Sequence, residues 1–271
     1  VGLAGLQVNP NFAPLYTALT SAYTVDQKWR EAQEYGQLAI EMAPNDVRAH
    51  WAYARSLSEV GARDEAINQL ERTVEVHPYF LPPYFELAIL YLAANRDREA
   101  IDTYDRILGL QPRNARALLR QCQAYRKVGE FNRALGLCQD AVDSDPSFVP
   151  AQYQIGLLRY NQREFEAART AFSACLSVEP GNLECHFRLG LTLYYLGECR
   201  PAWDQLQDSL LMAQSQSSEA AQSAIELIRQ GLSAVSTDPA CLSSGIRPLP
   251  TPTATPETEA TPEVESSEDS A

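Results

Sequence analysis

The residues of this sequence with the most chemistry to offer are its six cysteines and three histidines. An even cysteine count suits disulfides in an oxidising compartment. Metal chemistry has little to work with. There is no C-x-x-C, so the usual zinc and c-type haem spacings are missing, and the adjacent Cys185 and His186 are the only metal hint. His50 and His186 stand at equivalent places in a repeat and read as packing residues, while His77 precedes a turn proline. Catalytic motifs are also missing: no H-E-x-x-H, no G-x-S-x-G and no glycine-rich phosphate loop. We therefore expect no enzyme, no metal and no cofactor. A formal net charge of −13 argues against a nucleic-acid partner, because phosphate binding needs a basic footprint. No apolar run approaches the 18 residues that would suggest a membrane span.

These side chains are positioned by a repeat. Pro10, Pro44, Pro78, Pro112, Pro146 and Pro180 are spaced 34 residues apart, and so are Ala32, Ala66, Ala100, Ala134, Ala168 and Ala202. A period of this length implies stacked helix pairs. With residue 13 as position 1, the units are 13–46, 47–80, 81–114, 115–148, 149–182 and 183–216. Each predicts helix A, a turn at position 15, helix B and a proline-marked turn. Gly61, Asn95, Gly129 and Gly197 at position 15 tolerate the left-handed backbone of a helix end. Position 8 is small in most units and position 20 is always alanine, which lets the two helices approach closely.

The ends read differently. Residues 1–12 resemble the end of a B helix, with Pro10 in register. Residues 217–235 predict a terminal A-type or capping helix, with Ala224 at position 8 and Gly231 at position 15. Residues 236–271 form an acidic Pro/Thr/Ser-rich tail without apolar period, with seven acidic residues against Arg247. TPTATPETEATPE within it reads as a stiff polyproline-like stalk. O-glycosylation and ordering against a partner are its functional readings.

The repeat resembles the tetratricopeptide family over residues 13–216. Leu19 and Tyr23, then Leu87, Ala88 and Tyr91, then Tyr125, Phe131 and Ala134, and finally Gly156, Phe165, Ala168 and Phe172 carry the pattern. The resemblance implies an all-α, right-handed solenoid of six helix–turn–helix repeats, flanked here by half repeats and an extended C-terminal tail. It further implies A helices lining a concave groove and no catalytic activity. On that groove it places Arg48, Trp51 and Arg55, then Phe85, then Arg116, Arg120, Arg126 and Lys127, then Tyr153, Tyr160, Phe187 and Tyr194. Arginines and aromatics are common interface anchors. The family's lysine and asparagine clamp for chaperone tails is matched by no unit. Placed on the repeat, the cysteines suggest Cys122–Cys138, Cys175–Cys185 and Cys199–Cys241, with free buried thiols as the alternative.

The functional expectation is a protein-binding scaffold. Two complementary half repeats suggest head-to-tail self-assembly into a filament or another homopolymer. The alternative is a periplasmic or membrane-associated adaptor that binds a peptide or helix of another protein in the groove. The start at Val1 without a leader, the even cysteine count and the Pro/Thr stalk together suggest an extracellular or cell-surface setting, with the periplasm as alternative.

Overall fold

The computed structural model describes residues 8–242, which form an all-α solenoid. Its helices, in chain order, are α1 (Ala13–Val25), α2 (Trp29–Met42), α3 (Val47–Glu59), α4 (Arg63–Val76), α5 (Pro82–Ala93), α6 (Asp97–Leu110), α7 (Ala115–Lys127), α8 (Phe131–Ser144), α9 (Val149–Asn161), α10 (Phe165–Val178), α11 (Leu183–Tyr195), α12 (Cys199–Gln214), α13 (Glu219–Thr237) and α14 (Pro239–Leu242). Odd-numbered helices α1 to α11 are the A helices and even-numbered α2 to α12 the B helices. Every substantial contact joins helices adjacent in order or successive A helices, as in a quasi-one-dimensional array.

The core is set by matched sizes. All six alanines at position 20 are fully buried. Position 8 of each A helix faces position 24 of its B helix. Where position 24 is large, position 8 is small: a methyl at Gly156 would overlap the Phe172 ring, and one at Gly190 would lie 2.7 Å from Leu206 Cγ. In the first unit the arrangement reverses, with Thr20 at position 8 against Gly36. In the fourth unit both places are cysteine, and they are bonded.

The six A–B turns share one conformation. Position 15 has positive φ in every unit: 59° at Gln27, 84° at Gly61, 58° at Asn95, 84° at Gly129, 61° at Arg163 and 79° at Gly197. The glycines and asparagine were expected. Gln27 and Arg163 adopt the same backbone although a Cβ is disfavoured there.

Helix starts alternate with a period of two units. Asp46, Asn114 and Asn182 cap α3, α7 and α11, their side chains accepting from Arg48, Ala117 and Cys185 N–H groups. The intervening α1, α5 and α9 have no side-chain cap and instead carry Pro14, Pro82 and Pro150 in their first turn. Proline has no N–H to leave unsatisfied there. Each of these prolines follows two residues after Phe12, Phe80 or Phe148.

The C-terminal region departs from expectation. Gly231 does not end a helix; α13 runs through it to Thr237. A methyl there would meet Leu191 and Leu206 at 3.0 and 3.4 Å, so the small residue serves close packing. The boundary expected at 236 also moves. Ser236 is buried, α14 follows, and Cys241 is 1% exposed. The expected half repeat at 1–12 lies mostly outside the described residues, as does the tail from 243 onward.

Candidate functional site

Helices α3, α5 and α7 carry the first group of predicted groove residues. Helical spacing puts positions 2, 5 and 9 on one stripe. Between α1 and α3 this stripe forms a cleft of about 260 Å³ lined by Thr17, Ser21, Arg48, Trp51 and Arg55. Trp51 is half-buried, edge-on to Phe80 at 5.7 Å, with the Arg55 guanidinium 5.8 Å from its ring centre. Arg55 also pairs with Glu86 at 3.4 Å. Burial pushes the Glu86 carboxyl above its usual range, opposed by the nearby Trp51 indole and by Arg55. The Trp51 Nε1 itself is buried without a partner in hydrogen-bond geometry.

One repeat further, Arg116 lies over Phe85 at 5.1 Å, and Phe85 tilts onto Tyr104 at 6.5 Å. Ile89, on the turn after Phe85, is 43% exposed. Arg120 donates to Gln123 Oε1 at 3.1 Å. Arg116, Arg120 and Arg126 have no ion-pair partner among the described residues. Lys127 differs from them. Its ammonium reaches back to Asp97 at 2.6 Å and to the Leu92 carbonyl at 3.1 Å. It staples the preceding A–B turn and is not a free groove cation.

The second group gathers at the other end. Tyr153 tilts onto Phe172 at 6.1 Å; burial, then Glu184, pushes its hydroxyl up to about 12. Tyr160 stands edge-on to Phe165 and Tyr195, and burial raises its hydroxyl as well. Phe187 is 7% exposed and packs in the core, so it offers little to a ligand. Tyr194 donates to Asp238 Oδ2 at 2.7 Å. That bond raises the tyrosine and holds Asp238 below its usual range. The predicted groove set is therefore two clusters, one arginine-rich and one tyrosine-rich.

The remaining candidates are structural. Cys122–Cys138, Cys175–Cys185 and Cys199–Cys241 are bonded, with Cα separations of 5.5, 6.4 and 5.3 Å. His50 and His186 do more than pack. Each donates Nε2 to the carbonyl of the proline six residues earlier, Pro44 and Pro180, at 2.7 Å. Each Nδ1 accepts from a B-helix glutamine, Gln69 or Gln205. Tyr16, Tyr84 and Gln152 make the same bond to Pro10, Pro78 and Pro146. Only Leu118 at this position lacks it. The proline turn leaves a carbonyl exposed at the helix end, and position 4 is where a side chain reaches it. With both ring nitrogens of His186 engaged and Cys185 bonded, this adjacent pair has no free ligand atom.

Residues 85–147 and 153–198 match the model described as Tetratricopeptide repeat. With the paired-helix solenoid around them, these two regions are tetratricopeptide repeats. Superkiller protein 3 of Schizosaccharomyces pombe is 25% identical over 222 residues, which is 77% of this chain and 16% of that protein. The chain spans about a third or less of the first curated relatives it matches. Among solved structures, PilW, a widely conserved type IV pilus biogenesis factor, aligns with a TM-score of 0.63 at 19% identity, covering 79% of this chain and 98% of PilW. YrrB, a repeat protein with an unusual peptide-binding site, aligns at 0.53 and 21% identity over 70% of this chain and 97% of its own. At these identities the structures share the fold.

Proposed function

We propose that this chain is a non-catalytic scaffold whose α3–α5–α7 face binds an extended or helical segment of a partner protein bearing acidic and apolar side chains. One observation carries this reading. Ile89 and half-buried Phe85 lie open beside Arg116 and Arg120, which have no carboxylate partner among the described residues in a chain of net charge −13. A basic, apolar stripe on an acidic protein favours a ligand of opposite charge. The peptide-binding site named for YrrB is consistent with such use of the fold. Titration of a fluorescein-labelled peptide of alternating Glu and Leu/Phe tests the proposal. Binding should weaken in R116A/R120A and with rising salt, whereas equal affinity for the variant would overturn it.

Three disulfides in one chain support an oxidising setting, outside the cell or in the periplasm. Six free thiols in the native protein, read by non-reducing mass spectrometry, would refute this. Head-to-tail assembly has weaker support. The outer face of α13 presents Gln222, Ser223, Glu226, Arg229 and Gln230 around a single half-exposed Leu227, a mostly polar surface of the kind that covers the end of a repeat array. We expect a monomer in light scattering; concentration-dependent polymers would restore the filament reading.

A further inference from the structure

The tyrosine-rich cluster has a surface that the groove reading leaves unused. Tyr195 is 55% exposed although aromatic rings surround it. Phe165 stacks parallel on it at 4.9 Å, with Tyr160 edge-on at 5.7 Å and Tyr194 tilted at 5.4 Å. The cluster lies at the A–B corner, joining the ends of α9 and α11 to the start of α10. An exposed ring backed by half-buried rings set parallel and edge-on to it suits the flat, rigid rings of a polyproline II segment, which costs little entropy to dock.

The same corner is where the described chain ends. Tyr194 holds Asp238, and Cys199, four residues past Tyr195, is bonded to Cys241 with a Cα separation of 5.3 Å. Leu242, the last described residue, therefore stands on the same corner as the cluster. Residues 248–262 read PLPTPTATPETEATP, with prolines at 248, 250, 252, 256 and 262. The five residues between Leu242 and Pro248 extend to about 17 Å, enough to reach a site at the same corner. A tether this short gives a high effective concentration.

We propose that the Tyr160–Phe165–Tyr194–Tyr195 corner is a docking site for a proline-rich segment, and that its occupant is this chain's own residues 248–262. The Tyr194–Asp238 bond and the Cys199–Cys241 bridge fix where that segment starts. A partner carrying a similar proline-rich segment would then compete with it.

The test uses the full chain labelled with ¹³C-proline. In the dilute protein, tail proline signals should be displaced upfield by the aromatic rings, and Tyr195→Ala should abolish the displacement. Tyr195 is largely exposed, so this variant should keep its fold. A second variant, Pro250→Ala/Pro252→Ala/Pro256→Ala, leaves the solenoid untouched and should move the Tyr195 ring signals. Tail prolines at random-coil positions in the wild type would overturn the proposal. So would displacement that disappears on dilution, since it would assign the occupant to a second copy. Neither result depends on the arginine-rich face.

Discussion

Replacing Cys199 and Cys241 together by alanine should release the C-terminal helix while leaving the rest of the solenoid folded. The bridge closes a 42-residue loop. The chain-entropy relation then gives about 4 kcal/mol, against about 3 kcal/mol for the shorter Cys122–Cys138 and Cys175–Cys185 loops. Alanine is the better replacement because both sites are buried and serine would strand a hydroxyl. The helices contact only their neighbours, so the loss should concentrate on α13, which sits at the end of the stack and buries Ile228, Leu232 and Val235. About 4 kcal/mol is roughly a thousandfold in a local opening constant. Amide hydrogen exchange resolved by segment is the assay. Protection in α13 should fall by that order, with α3 to α8 nearly unchanged. Unaltered protection in α13 would refute the reasoning. A uniform fall across all helices would also refute it, by showing that the solenoid unfolds as one unit.

Other expectations follow from single sites. Arg163→Gly relieves a left-handed backbone that costs an L-residue about 1–2 kcal/mol, less the ~0.5–1 kcal/mol of extra unfolded freedom, so urea unfolding should show a net gain of about 0.5–1 kcal/mol; Gly129→Ala should move the other way. Gly156→Ala forces Phe172 from its place and should cost about 1–3 kcal/mol in the same assay. Glu86→Gln frees Arg55 from its ion pair and should tighten binding of the acidic peptide, with steeper salt dependence; weaker binding would mean that Glu86 itself contacts the ligand. Asp238 is held below its ordinary value by Tyr194. Its contribution is therefore present above the unfolded carboxyl's pKa and fades as pH falls through the lower folded value. Tyr194→Phe should flatten that acid limb when α14 protection is followed from pH 6 down to about pH 3.

Most of the architecture was legible because a repeat writes local rules many times over. Six prolines and six alanines in register define the helix pairs, and glycine or asparagine at position 15 marks the turns. Gln27 and Arg163 hid two of those turns, since nothing in either residue type favours φ near +60°; the neighbouring helices impose it. The two-unit alternation of Phe-x-Pro with Asp or Asn caps was also written in the residues, but its meaning needed the helix starts. Gly231 misled because a glycine can permit a turn or a close approach, and sequence does not distinguish them.

The site divides along the same line. The repeat register gave Arg48, Trp51, Arg55, Phe85 and Arg116 equivalent positions on their helices, and the family resemblance implied that those positions line the groove. Neither was enough to say which charges remain open. Arg55 meets Glu86 and Lys127 meets Asp97 across unit boundaries, at offsets of 31 and 30 residues that depend on how successive pairs stack. The tyrosine corner is a further case. Tyr160, Phe165 and Tyr195 come from three helices, and Asp238 joins Tyr194 from 44 residues away. The sequence by itself determined the period, the helix pairs and the register of their side chains. Only the tertiary structure decided which of those side chains are neutralised, buried or left for a partner, because that depends on the rotation between repeats and not on the order of residues within one.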